Sequence, residues 1–273
     1  MELTSPKTLK ELLSEYKARP SKGLGQNFLI DKGVLKKIIE SADIKPNDII
    51  LEVGPGVGTL TQELAQRAKK VIAIEKDGTM VEILKKTLKD FNNVEVVQGD
   101  ILRLNPGPYT QNNYKIIANI PYYLTSPLIR KFLETENRPQ EMVLMLQKEV
   151  AQRICAKPPK MSLLAVSVQF YAEPKIISYV SKNCFWPSPR IDSAIIKIKP
   201  QINADKKQAD PDLFFKIVKA GFSQPRKQLA GNLSKILKMD KEKAALWLLK
   251  NNIEPNQRAE TLDIRDWIKL AKS

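Results

Sequence analysis

The chain has 273 residues, 42% hydrophobic and 27% charged, enough to bury one large core or two ordinary ones. It contains no histidine, which excludes Ser-His and Cys-His nucleophilic schemes, histidine general bases and nearly all catalytic zinc centres, so no metal is expected. The net charge of +15, from 45 Lys+Arg against 30 Asp+Glu spread along the chain, points to a polyanion partner met by a broad face rather than a tail.

No run of eighteen apolar residues is present, so no membrane span is expected. The first residues, Met1 to Lys7, lack the apolar core of a signal peptide. Two cysteines, Cys155 and Cys184, make no disulfide framework, and a reducing cytoplasm is the natural compartment.

Residues 1–40 read as helical and basic, interrupted by the segment Ser21 to Leu29 with its two glycines. A regular alternation follows. Strands are predicted at 49–53, 71–74, 94–97, 115–118 and 142–146, with amphipathic helices at 59–68, at 78–90 and after the fifth strand through Val150 and Ile154. Strands alternating with helices predict a parallel sheet covered on both faces. Two more strands are predicted at 175–180 and 194–199. The second alternates apolar and polar residues (Ile196, Lys197, Ile198, Lys199), as an edge strand would. Residues 200–211 read as a polar linker. Beyond it, helices are predicted at 213–220, in a segment opened by Pro225, at 241–250 and at 264–271. This gives a domain over 1–200, including the N-terminal helical segment, and a helical domain over 201–273.

The ends of the predicted strands carry the chemistry. Glu52-Val53-Gly54-Pro55-Gly56-Val57-Gly58 closes the first and opens a helix, and its glycines allow a tight turn close to a ligand. As a dinucleotide fingerprint its spacing is wrong, for the third glycine follows the second by two residues. The pattern instead resembles the first motif of S-adenosylmethionine-dependent methyltransferases. Glu75 ends the second strand, where a carboxylate can accept both hydroxyls of a ribose. Asp100, after Gly99, ends the third, where one can accept from an adenine amine. Either acid alone reads as a surface residue; together they face one crevice. Asn119-Ile120-Pro121-Tyr122 ends the fourth strand with an amide, a carbonyl and an aromatic face. Proline has no N–H, so the chain leaves the ladder here and frees the Ile120 carbonyl. A planar base with an exocyclic amine suits this set, with two acceptors for its N–H groups and a ring to stack on. Phe185 is a candidate for the base's other face, with core packing beside Trp186 as its alternative.

Taken in order, these pieces resemble the small-subunit ribosomal RNA adenine dimethyltransferases, the KsgA family, over nearly the whole chain. The resemblance rests on Gly25-Gln26-Asn27-Phe28-Leu29, the Glu52 to Gly58 loop, Glu75, Gly99-Asp100, Asn119-Ile120-Pro121-Tyr122-Tyr123 and Phe185-x-Pro-x-Pro-Arg190-Ile191-Asp192-Ser193. Gly221-Phe222-Ser223-Gln224-Pro225-Arg226-Lys227 and Arg258-Ala259-Glu260 extend it. Pro225 departs from the basic or polar residue expected there.

The resemblance implies a doubly wound α/β methyltransferase sheet, Rossmann-like, with a small all-helical C-terminal domain. It implies S-adenosylmethionine as cofactor, held by Gln26, Asn27, Leu29, Gly54, Gly56, Glu75, Asp100 and Asn119. Asn119, Ile120, Pro121, Tyr122 and Phe185 would form the catalytic set, and Arg190, Arg226 and Lys227 would contact RNA. The implied substrate is two adjacent adenines in the 3′-terminal hairpin of 16S ribosomal RNA, within the small subunit, modified by a monomer. Two alternatives stay open: an assembly factor whose RNA binding outweighs its catalysis, and a 23S rRNA adenine methyltransferase conferring antibiotic resistance. A DNA adenine methyltransferase fits less well, since no groove-reading module is evident.

Overall fold

Runs of Val, Ile and Leu between turn residues build the centre of the fold. The computed structural model describes residues 1–110, 113–201 and 209–273. Helix α1 (Pro6–Glu15) leads into the short β1 (Phe28–Leu29) and α2 (Lys32–Ala42). The alternation then runs β2 (Ile49–Val53), α3 (Thr59–Ala65), β3 (Lys70–Glu75), α4 (Gly78–Thr87), β4 (Val94–Gln98), the single turn α5 (Gly107–Thr110), β5 (Tyr114–Asn119), α6 (Thr125–Leu133), β6 (Met142–Gln147) and α7 (Lys148–Ile154). After α8 (Leu163–Tyr171) come β7 (Ala172–Val180), β8 (Phe185–Trp186) and β9 (Ser193–Pro200). The remaining helices are α9 (Pro211–Gly221), α10 (Leu229–Leu237), α11 (Lys241–Lys250) and α12 (Ile264–Lys272).

Seven strands form one sheet in the order β4-β3-β2-β5-β6-β9-β7. The first five are parallel and β9 runs antiparallel to β6. The chain winds outward from β2 to β4, then returns to place β5 on the other side of β2, so the direction of winding reverses between β2 and β5. Helices α2 and α3 bury Leu35, Ile38 and Leu64 against Ile50, Val71, Ile117, Val143 and Ile195. The intervening Leu51, Ile72, Ile116, Leu144 and Ile196 are fully buried too. Because successive strand residues point to opposite faces, both faces of the sheet are covered.

The predicted strands and most helices appear where the sequence places them, with two exceptions. Strand β9 is not an edge: it lies between β6 and β7, and β7 is the edge. The first polar residue in its alternation, Lys197, lies where its ammonium reaches the Ser41 carbonyl (3.0 Å) and Glu141 (2.8 Å). Pro225 does not open a helix. It sits in a turn, and α10 begins at Leu229. Most of the polar linker, Ile202 to Gln208, lies outside the described residues.

By internal contacts the described chain forms two units, Met1–Ala151 with Lys175–Pro200, and Gln152–Pro174 with Gln201–Ser273. In the helical unit Phe170 of α8 stacks on Phe214 of α9 (4.1 Å between ring centroids), and Trp267 of α12 is fully buried beside Phe222. Among the described residues no helix is long and apolar enough to cross a membrane.

At the amino end of the parallel strands sits a cluster of partly buried charges. Lys115 Nζ pairs with Asp48 (2.9 Å) and donates to the carbonyls of Ala42 (3.2 Å) and Asp43 (2.9 Å), satisfying the last turn of α2. Glu141, 3.6 Å from the same ammonium, also holds Lys197. Removing one partner of such a set strands the others in a poorly solvated site. Lys115→Ala should therefore lower stability by about 3 kcal/mol, seen as a fall in Tm by calorimetry. A variant as stable as the parent would show that the cluster contributes nothing to folding.

Candidate active site

A cleft opens at the carboxyl ends of β2, β3, β4 and β5, where ligands of open α/β sheets bind. It holds about 860 Å³ of space, part of it open to solvent. Gln26, Asn27, Leu29, Gly54, Gly56, Glu75, Asp100, Asn119 and Pro121 all line it.

The glycine loop reaches this position through left-handed backbone. Gly54 has φ +69° and Gly56 φ +60°, a region that side-chain-bearing residues seldom occupy. A Cβ on Gly54 would stand 3.3 Å from Pro121 Cδ, and one on Gly56 3.2 Å from Phe28 Cε1. The loop after β2 therefore packs directly against the motif after β5, at the point where the winding reverses.

Glu75 is 6% exposed at the end of β3. Its Oε2 accepts the Gly56 N–H (3.0 Å) and its Oε1 the Asp77 N–H (2.9 Å). Burial raises its pKa, opposed by these backbone donors. Asp100 follows β4, with Oδ1 accepting the Leu102 N–H (3.0 Å) and Oδ2 facing Lys76 Nζ (3.0 Å). The Leu102 N–H foremost, then Lys76, holds its carboxyl below the usual range.

Glu52 also lines the cleft, at 1% exposure. Burial pushes its pKa up to about 8, moderated by the nearby Thr61 hydroxyl. Its Oε2 is buried and has no hydrogen-bond partner among the described residues. A buried oxygen in that condition is free to accept from a ligand or a water. Three carboxyl groups converging on a glycine-walled cleft suit a ligand carrying an ammonium, a ribose diol and an adenine amine, so the donor set fits S-adenosylmethionine.

The motif after β5 leaves two acceptors free. Asn119 Nδ2 donates to the Asn27 carbonyl (3.3 Å), which fixes the amide, and no donor among the described residues reaches its Oδ1. The Ile120 N–H bonds Met145 O (3.3 Å), and no described donor bonds the Ile120 carbonyl. Tyr122 lies in the turn that follows, its hydroxyl 2.9 Å from Ser193 Oγ at the start of β9. Burial raises the pKa of that hydroxyl.

The other predicted site residues lie elsewhere. Ile120 and Tyr122 do not line the cleft. Neither does Phe185, which is 4% exposed and packs in the core with Leu35, Ile38, Met145 and Ile195. Its strand β8 pairs with β1, Phe185 opposite Leu29. Arg190 is exposed in the loop before β9, and Arg226 and Lys227 are exposed in the helical unit. Sequence reasoning misses Glu52, Lys76 and the half-exposed Tyr123 as cleft residues. Glu52 is the first acid of the glycine pattern and Tyr123 closes the motif after β5, so both could have been found there; Lys76 carries no signal of its own.

Comparisons with known proteins identify the family and the fold. The family model described as Ribosomal RNA adenine dimethylase matches residues 17–273. A relative named Ribosomal RNA small subunit methyltransferase A from Dehalococcoides mccartyi is 44% identical, over 94% of this chain and 89% of its own length. One of the same name from Alkaliphilus metalliredigens is 41% identical over 99% and 97%. Among solved structures, a dimethyladenosine transferase from Plasmodium falciparum superposes with a TM-score of 0.76 at 30% identity, covering 89% of this chain and 95% of the other. The 23S rRNA methyltransferase ErmE gives 0.75 at 26% identity, covering 90% and 98%. The sheet is thus that of S-adenosylmethionine-dependent methyltransferases, and the chain belongs to the ribosomal RNA adenine dimethylase family.

Proposed function

We propose that the protein uses S-adenosylmethionine to dimethylate the exocyclic amines of two adjacent adenines in the 3′-terminal hairpin of 16S small-subunit ribosomal RNA. It would do so as a cytoplasmic monomer acting in small-subunit biogenesis. The observation that carries this reading is the pair of unpartnered acceptors, Asn119 Oδ1 and the Ile120 carbonyl, beside a cleft suited to the cofactor. The relatives named for the small subunit, at 41–44% identity, favour that substrate over the 23S rRNA of ErmE at 26%.

S-adenosylmethionine, when bound, supplies a methyl group on a positively charged sulfur. Glu75 would accept the ribose hydroxyls while its backbone donors hold it in place, Asp100 the adenine amine, and Glu52 the ammonium. The target base must leave its stack, at a cost of a few kcal/mol. Stacking on Tyr122 would return about 1–3 kcal/mol. Phe185, from the core, would hold β1 and so Leu29 in position.

An adenine amine is a poor nucleophile because its lone pair is delocalised into the ring. Donating its two N–H bonds to Asn119 Oδ1 and the Ile120 carbonyl favours a pyramidal nitrogen with that pair free. Both bonds strengthen as positive charge grows on nitrogen, so they stabilise the transition state more than the ground state. Holding the nitrogen in line can supply about 7–11 kcal/mol. The product ammonium is acidic enough to lose its proton to water, so no general base is needed and a chain without histidine suffices. After one transfer a single N–H remains for the two acceptors, enough to orient the second. Arg190 and the helical unit, through Arg226 and Lys227, would contact the RNA backbone.

Asn119→Ala should lower methyl transfer to unmethylated small subunits by at least about 100-fold while cofactor still binds. Full activity would overturn the mechanism. Glu75→Ala should instead weaken cofactor binding in calorimetry, and unchanged affinity would remove Glu75 from the site. Glu52 gives a pH signature in stability. Its folded pKa of about 8 lies above the ordinary value of 4.5, so the folded protein holds this proton more tightly than the unfolded chain. Stability from this group is intact below about pH 4.5, declines through pH 8 and is flat beyond. Glu52→Gln should abolish that decline, raising Tm at pH 9 more than at pH 5; equal shifts at both would show Glu52 already ionised in the fold. Mapping the nucleotides labelled by radioactive cofactor on separated small and large subunits identifies the substrate.

A further inference from the structure

A second aromatic platform lies beside the motif after β5. Tyr179, near the end of the edge strand β7, is 52% exposed, and Lys148 Nζ sits 5.3 Å from its ring centroid. An exposed aromatic ring with a cation beside it offers a flat π-face and a positive charge together, which suits a partner with a flat π-face and a negative charge.

Its position follows from the sheet. Strand β6 ends at Gln147, opposite Ser193. The next residue, Lys148, donates its N–H to the Asp192 carbonyl (3.0 Å), and Ser193 Oγ is bonded to the Tyr122 hydroxyl (2.9 Å). The Asp192 carboxylate turns back to accept the Lys182 N–H (3.1 Å). The two tyrosines are therefore linked through Ser193, Asp192 and Lys148.

We propose that Tyr179 and Lys148 form a stacking platform for a nucleobase flanking the target adenine, with Lys148 meeting the adjoining phosphate. This rests on the proposed RNA substrate and on Tyr122 as the place where the target base is held. A single-stranded RNA segment is the occupant that matches the site. It brings base faces and phosphates together, and the chain's net charge of +15 favours a polyanion. Stacking on aromatic side chains tolerates any base, so the platform would set affinity and register while the motif after β5 sets the chemistry.

The test uses the full chain, a fluorescent RNA hairpin with two adjacent adenines in its loop, and unmethylated small subunits. Tyr179→Ala should weaken hairpin binding about tenfold and raise KM for small subunits, leaving kcat and cofactor affinity unaltered. Tyr179→Phe and Tyr179→Trp should retain parental binding, since they keep the ring, whereas Tyr179→Leu should not. Lys148→Ala should reduce the salt dependence of binding. Parental hairpin affinity in folded Tyr179→Ala, or rescue by leucine as good as by phenylalanine, would overturn the platform. Absence of methylation by the parent protein would instead overturn the proposed reaction, and the binding measurements would still decide the platform.

Discussion

One buried carboxylate holds the cleft together. Glu75 ends β3 with each oxygen taken by a backbone N–H, one of them from the glycine loop, distant in sequence but adjacent in space. Without that acceptor the Gly56 N–H would be left without a partner, and among the described residues the loop would keep only the Gly54 N–H bond to the Ile74 carbonyl (2.9 Å) as its tie to β3. The loop in turn presses Gly54 against Pro121. The acid that would receive the ribose is thus also the acid that shapes the wall behind it. A carboxylate has room for both tasks, because each oxygen carries two lone pairs.

The motif after β5 is organised by what it does not bond. Proline stops the ladder, the Asn119 amide is oriented by a single bond to Asn27, and two oxygens stay available. Unpaired acceptors are unfavourable in a protein interior; Asn119 lines the cleft, where a donor can reach its amide oxygen, and Ile120 is the next residue. This is a simple way to build a site for an amine: neither acceptor needs to change protonation state, so no titrating group has to be tuned to the reaction.

Long periodic segments are legible in the amino-acid sequence itself. The five parallel strands are runs of four to six mostly Val, Ile and Leu residues between turns, and their ends carry the acids and the amide in an order that only a doubly wound sheet brings together. What the sequence hides has physical reasons. Strands β1 and β8 are two residues each, too short for any period, so the pairing that ties Leu29 to Phe185 and draws Phe185 into the core leaves no trace in the residue pattern. Lys197 mimics an edge strand because its long stem carries the charge from an interior strand to the end of α2. Helices α6 and α8 are hard to read because each lies in a segment opened by Pro or Ser amid loops, where propensity alone says little. The exposure of Tyr179 and Tyr123 is visible only once burial is known.

The charge cluster around Lys115 has a consequence for how the molecule responds to its medium. Its ion pairs are largely shielded from solvent, and salt screens such pairs far less than it screens exposed charges. The basic side chains that would face RNA are exposed, and each phosphate contact they make is sensitive to ionic strength. Architecture and association therefore answer to different ionic regimes. Rising salt would weaken exposed phosphate contacts well before it loosened the cluster at the amino end of the strands.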